Sequence, residues 1–87
     1  MQNQRYNIFK LNRVIDYMER TSVRSSNLRS VGYNEVEQLL EIEFLSGGVY
    51  QYFNVPIEKY QSLMSASAHG TYFAAHIKNV YRYKKIH

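Results

Sequence analysis

The chain has no cysteine, no tryptophan, one proline and four glycines in 87 residues. Without cysteine there are no disulfides, no thiolate zinc sites and no cysteine nucleophile. A domain this small buries only about 60–65% of the surface its unfolded chain exposes. Secreted domains of that size usually need disulfide staples, so a reducing, cytoplasmic home is the expectation. No run approaches the ~18 uncharged apolar residues of a spanning helix, so no membrane segment is expected. The first residues, Met1-Gln2-Asn3-Gln4-Arg5-Tyr6, place no apolar run behind a basic cluster, so no signal peptide is expected either. There is no repeat, low-complexity run or flexible linker, and the length suits one domain.

Acid is missing from one whole end of the chain. From Lys59 onward stand Lys59, Lys78, Arg82, Lys84 and Lys85 with no carboxylate among them. Residues 35–58 are the reverse, with Glu35, Glu37, Glu41, Glu43 and Glu58 and no base. Residues 1–29 are again basic, with Arg5, Lys10, Arg13, Arg20, Arg24 and Arg29 against Asp16 and Glu19. The net charge is +4 and the pI about 9.4. Basic ends around an acidic middle raise the expectation of an anionic partner such as RNA or DNA. They equally suit cross-strand neutralisation within one sheet.

Tyrosine is abundant, nine residues beside four phenylalanines. Most are expected half-buried, ring inside and hydroxyl at the edge. Residues 6–20 read as an amphipathic helix, with Ile8, Leu11, Ile15 and Met18 on one stripe and Asp16 paired to Arg20. That helix docks on its own domain or forms a dimer or partner contact. Thr21 to Asn27 is a polar connector, and Leu28 to Tyr33 a first short strand in which Gly32 suggests a bulge or end. Gln38 to Leu45 is the clearest strand: Leu40, Ile42 and Phe44 alternate with Glu41 and Glu43. Ser46-Gly47-Gly48 predicts a hairpin turn, with Val49 to Phe53 returning and Tyr50 and Tyr52 on one face. Val55-Pro56 switches the period to a helix through Ile57, Tyr60, Leu63 and Met64. Ser65 to Gly70 breaks it, and a second helix runs from about Thr71 to Val80. Tyr81 to Ile86 alternates again, as a last strand closing the sheet.

The stretch from about Val23 to Tyr83 resembles the KTSC domain, named for the C-terminal extension of some lysyl-tRNA synthetases. The resemblance rests on Val23-Arg24-Ser25-Ser26-Asn27, Val31-Gly32-Tyr33, Leu40-Glu41-Ile42-Glu43-Phe44, Gly48-Val49-Tyr50-Gln51-Tyr52, Val55-Pro56, Gly70-Thr71-Tyr72-Phe73, Ile77 and Tyr81-Arg82-Tyr83. Two positions depart from the pattern. Ala68 stands where a serine is usual, and Ala74 where an asparagine often follows the Tyr-Phe pair. The resemblance implies a small α+β domain, standing alone in bacteria and phages or appended to larger proteins. The synthetase link implies RNA contact by association.

Catalytic chemistry finds little support. His69 and His76 on one helix would lie about 10.5 Å apart along its axis, too far to share one zinc. His87 is terminal. Glu41 and Glu43 would sit about 6.8 Å apart on one strand face, within range of an acid/base pair, yet they read better as the polar half of an amphipathic strand. Ser25-Ser26 suits a local turn or cap bond, and Gly47-Gly48 lacks the lysine and helix of a phosphate loop. No enzyme, metal or cofactor is expected.

What remains is Tyr81-Arg82-Tyr83-Lys84-Lys85, where aromatics interleave with cations. Rings that stack on bases and cations that meet phosphates suit single-stranded nucleic acid. An edge strand with inward tyrosines and protective lysines fits the same residues. Arg24 and Arg29 join this patch if the first and last strands are neighbours, and Lys78 adds another cation. The expected fold is therefore α+β: an antiparallel sheet of three to four strands packed by two consecutive helices. Residues 1–20 form an N-terminal helical extension and residues 21–87 the domain. The expected function is a non-catalytic module binding RNA, tRNA or a single strand, through Arg24, Arg29, Lys78, Tyr81, Arg82, Tyr83, Lys84 and Lys85. The alternative is a protein-interaction module, a homodimer through the N-terminal helix.

Overall fold

A computed structural model describes residues 18–87. The fold is α+β: β1 (Thr21–Ser22), β2 (Leu28–Asn34), β3 (Leu39–Phe44), β4 (Val49–Tyr52), α1 (Ile57–Ser65), α2 (His69–His76) and β5 (Tyr83–Lys85). The five strands form one antiparallel sheet in chain order, β1-β2-β3-β4-β5. The expected three to four strands become five because Thr21–Ser22, read as connector, pairs with Val31 and Ser30. An exposed two-residue edge strand carries no apolar alternation by which to find it. The expected helix at 6–20 lies outside the described residues, except Met18–Arg20, which are not helical.

The β3 alternation sorts the sheet into two faces. Leu40, Ile42 and Phe44 pair with Tyr33, Val31 and Leu28 on β2. Leu40 and Ile42 pair with Tyr52 and Tyr50 on β4, which in turn meet Tyr83 and Lys85 on β5. This is the face on which the helices pack, burying Leu63, Phe73 and Ile77 against Leu28, Val31, Leu40, Ile42, Tyr52 and Val55. The hairpin between β3 and β4 turns where Gly47 takes a φ of 110°, a conformation that favours glycine. Pro56 stands just before α1 in extended conformation, as the N-cap. The second helix begins at His69 and ends at His76, earlier than its apolar pattern indicates, and residues 77–80 continue as turns.

The other face is not the solvated one that Glu41 and Glu43 suggest. Glu41 is buried, 2% exposed. Its carboxylate accepts from the Arg20 guanidinium and from Gln51 Nε2 at 3.0 Å. The expected partner of Arg20, Asp16, lies outside the described residues; within them Arg20 pairs with Glu41. The chain at Met18–Arg20 crosses this face above Gly32. A Cβ built on Gly32 would fall 2.7 Å from the Glu19 carbonyl oxygen and 3.0 Å from Arg20 Cγ. Gly32 thus marks a close approach inside β2. The bulge lies earlier, where the β2–β3 register shifts between Leu28 and Ser30.

Candidate functional site

Between the β3–β4 hairpin and the end of α2 the helix-bearing face opens into a cleft of about 340 Å³. Its walls are rings: Phe44 from β3, Tyr50 and Tyr52 from β4, Phe73 from α2 and Tyr83 from β5. The rings hold one another in edge-on or tilted arrangements. Phe44 and Tyr50 meet edge to face at 5.4 Å, and Tyr52 and Phe73 likewise at 5.4 Å. Tyr83 leans over both β4 tyrosines, 5.7 Å from each ring centre. Offset contacts of this kind are the favoured geometry for aromatic quadrupoles. The rim is polar, with Asn27, Ser46, Lys78 and Asn79, and among the described residues no carboxylate lines the cleft.

Among the residues lining the cleft, Tyr52 is buried and carries a hydroxyl. Tyr52 is 3% exposed, and burial, with Tyr50 and Tyr83 beside it, pushes its pKa up to about 12. It therefore stays protonated, a donor, throughout the physiological range. Tyr33, also raised by burial, has a partner: it donates to the Val55 carbonyl while its ring stacks on Tyr60 at 4.6 Å. No described residue hydrogen-bonds the Tyr52 hydroxyl.

Asn27 reaches the cleft through a tight local turn. The Ser25 hydroxyl accepts from the backbone N–H groups of Asn27 and Leu28, both at 3.2 Å. The same hydroxyl donates to Asn27 Oδ1 at 3.1 Å. Asn27 Oδ1 then presses on the first turn of α2, 2.1 Å from where a Cβ on Gly70 would sit. So two segments that the sequence reading left apart, Ser25–Asn27 and Gly70–Phe73, meet at one corner of the cleft.

The eight residues singled out as nucleic-acid contacts do not form one patch. Lys78 and Tyr83 line the cleft. Lys85 faces the same side, paired with Tyr50, and Arg82 neighbours Lys78 along a shallow hollow that contains no acid. Tyr81 packs against the core. Lys84 pairs with Gln51 on the opposite face of the sheet. Arg29 sits at the bulge, with Nε 3.9 Å from Glu43 Oε2. Arg24 is exposed in the β1–β2 connector. The first and last strands lie at opposite edges. Three inter-strand spacings, about 14 Å, separate β2 from β5, so Arg29 does not extend the β5 patch. Tyr50 and Tyr52 share one face as the alternation predicts, and they pack with the core cluster as well as forming cleft walls; Phe44, Phe73 and Asn79 were not among the expected nucleic-acid contacts.

Of the other groups weighed, Glu43 is tied to the Ser30 hydroxyl at 2.8 Å and lies near both Arg20 and Arg29. His69 Nδ1 donates to the Leu63 carbonyl at 2.8 Å, closing the C-terminal end of α1. His76 stacks on Tyr72 at 4.3 Å. Among the described residues, no three His, Cys, Asp or Glu side chains gather to hold a metal, and no helix is long and apolar enough to cross a membrane.

The KTSC domain family model matches residues 24–81, from the Ser25 turn through the cleft walls to Tyr81. The chain belongs to the KTSC domain family. A crystal structure of a KTSC domain protein from Yersinia pestis superposes with a TM-score of 0.78 at 39% identity, over 82% of this chain and all of that one. An uncharacterized protein of Stutzerimonas stutzeri is 44% identical over 70 residues, 79% of this chain and 99% of its own length. A lysine–tRNA ligase of Trichormus variabilis is 36% identical over 61 residues, 70% of this chain but only 11% of the ligase. KTSC sequences thus occur both as small proteins and as a minor part of a large ligase. The two alanines that depart from the family pattern have visible positions: Ala68 is the N-cap of α2 and makes no side-chain cap bond, and Ala74 lines the cleft.

Proposed function

We propose that this KTSC domain is a non-catalytic module that binds single-stranded RNA on the cleft side of β5. The observation that carries the reading is that Lys78 and Tyr83 share one ring-walled cleft without a carboxylate. Lys85 and Arg82 continue the cationic surface beside it. Aromatic faces next to cations are what a single strand uses, rings under bases and ammonium or guanidinium groups on phosphates. The kinship with part of a tRNA ligase adds support by association. A cytoplasmic site of action suits both the partner and the absence of cysteine. The homodimer reading depends on residues 6–20, of which only Met18–Arg20 are described, and no observation favours it.

The test is fluorescence anisotropy of a labelled tRNA and a labelled single strand, each titrated at low and at physiological salt. The expected result is binding that weakens linearly in log–log form with salt, stronger for the single strand. Absence of binding to either at low salt would sink the proposal.

A further inference from the structure

We propose that the cleft between the β3–β4 hairpin and the end of α2 receives one unpaired nucleobase of an RNA strand, stacked on Tyr83 and hydrogen-bonded at its edge by the Tyr52 hydroxyl. This rests on the single-strand reading above and adds to it where, and how, a base is held.

Three observations converge. The cleft holds about 340 Å³, at the small end of ligand sites, which suits a single planar ring system. Tyr83 is the exposed wall of the cleft. It is 58% exposed, whereas Tyr52 and Phe73 beneath it are 3% and 2% exposed. A flat guest can therefore lie against the Tyr83 ring and give it a stacked contact, where its contacts with Tyr50 and Tyr52 are tilted. Finally, Tyr52 is buried and lines this space, and its hydroxyl has no hydrogen-bond partner among the described residues. Buried hydroxyls are expected to be satisfied, and each nucleobase offers ring-nitrogen or carbonyl acceptors at its edge. With its proton retained to about pH 12, Tyr52 donates to whichever acceptor arrives.

The charge around the opening selects the guest's class. Lys78 stands on the rim and Lys85 follows Tyr83 along the same face. No residue from Lys59 to His87 is acidic. An apolar side chain of a peptide would fill the rings but leave these cations and the hydroxyl unanswered. A nucleotide answers all three, base to rings, edge to hydroxyl and phosphate to lysine. The base must be unpaired, because a paired base stacks within its helix and shows this cleft no free face.

The experiment compares a labelled mixed-sequence RNA about eight nucleotides long with an abasic ribose-phosphate strand of equal length, at low salt. The proteins are the full chain, Tyr83→Ala and Tyr52→Phe, with circular dichroism confirming that each variant folds. The expected result is that the base-bearing strand binds roughly 5- to 140-fold tighter than the abasic one, that Tyr83→Ala abolishes most of the difference, and that Tyr52→Phe reduces it. Affinity for the abasic strand should stay unchanged in both variants. If neither strand binds the full chain, the single-strand reading fails and this inference with it. If both bind equally, the strand reading stands on its phosphate contacts and the base site is overturned. A difference that survives both variants places the base elsewhere and also overturns it. A nucleoside monophosphate that binds as tightly as the strand would show a free nucleotide to be the occupant, and overturn the assignment to RNA.

Discussion

At the scale of single residues, most of the unusual chemistry in this chain is a matter of close approach. Gly32 is the plainest case. Its strand position would accept any β-branched side chain if the chain at Met18–Arg20 did not lie across it. Replacing it with alanine puts a methyl group 2.7 Å from the Glu19 carbonyl oxygen, so the backbone of residues 18–20 must lift. Gly32→Ala should cost roughly 1–3 kcal/mol, as overpacked sites do, read as a lower denaturation midpoint with an unchanged slope. Unchanged stability would mean that the segment does not hold its place on the sheet. Tyr52 makes a second prediction, through pH. Its pKa rises from the ordinary 10 to about 12 in the folded protein. Below pH 10 both states keep the proton and stability is flat in this respect. Between pH 10 and about 12 the unfolded chain releases it first, so the unfolded state binds fewer protons and stability falls as pH rises. Tyr52→Phe should flatten that decline in a pH series of urea melts, leaving the part due to Tyr33, whose pKa is raised too. An equally steep decline in the variant would show that the hydroxyl is not buried as described.

At the scale of elements, the legible parts of the sequence were those whose pattern one neighbour dictates. Leu40-Glu41-Ile42-Glu43-Phe44 alternates because one side meets the helices, and Ser46-Gly47-Gly48 announces its turn through a backbone angle that favours glycine. Val55-Pro56 marks the entry to α1. The less legible parts depend on remote partners. Leu28 and Val31 both face the helices although three residues apart, because the extra residue at the bulge breaks the period of two. Glu41 looks like solvent-facing polarity until Arg20 and Gln51 close over it. The cleft was hidden for a similar reason: Tyr50 and Tyr52 pack with the core, and the cleft walls also come from Phe73 of α2 and Tyr83 of β5, remote in sequence. The start of α2 was misplaced because its N-cap is Ala68, which supplies no side-chain acceptor. That vacancy is testable. Ala68→Ser restores an acceptor for the first free N–H groups of the helix, and should stabilise the domain by about 1 kcal/mol in thermal or denaturant melts. No gain would mean that the Asn27 side chain, pressed onto the same turn at Gly70, leaves no room for the cap.

At the scale of the whole molecule, the argument turns on which cations act together. Counting along the sequence gives six basic residues in the expected patch, but the sheet divides them. Lys84 points to the far face, Arg29 lies beside Glu43, and Arg24 sits in the β1–β2 connector rather than on β5. Lys78, Arg82 and Lys85 remain near the cleft. A single strand that meets three phosphates releases its counterions with a slope of about −0.7 per contact, so log affinity against log salt should fall with a slope near roughly −2. Lys78→Ala or Lys85→Ala should each make that slope shallower by about 0.7 and weaken binding without regard to base identity. Arg24→Ala and Arg29→Ala should leave both slope and affinity as they were. A slope nearer −4, with loss on either arginine substitution, would mean that the strand wraps across the sheet from one edge to the other. Net charge alone, +4 however it is arranged, does not separate those outcomes; the order of the strands does.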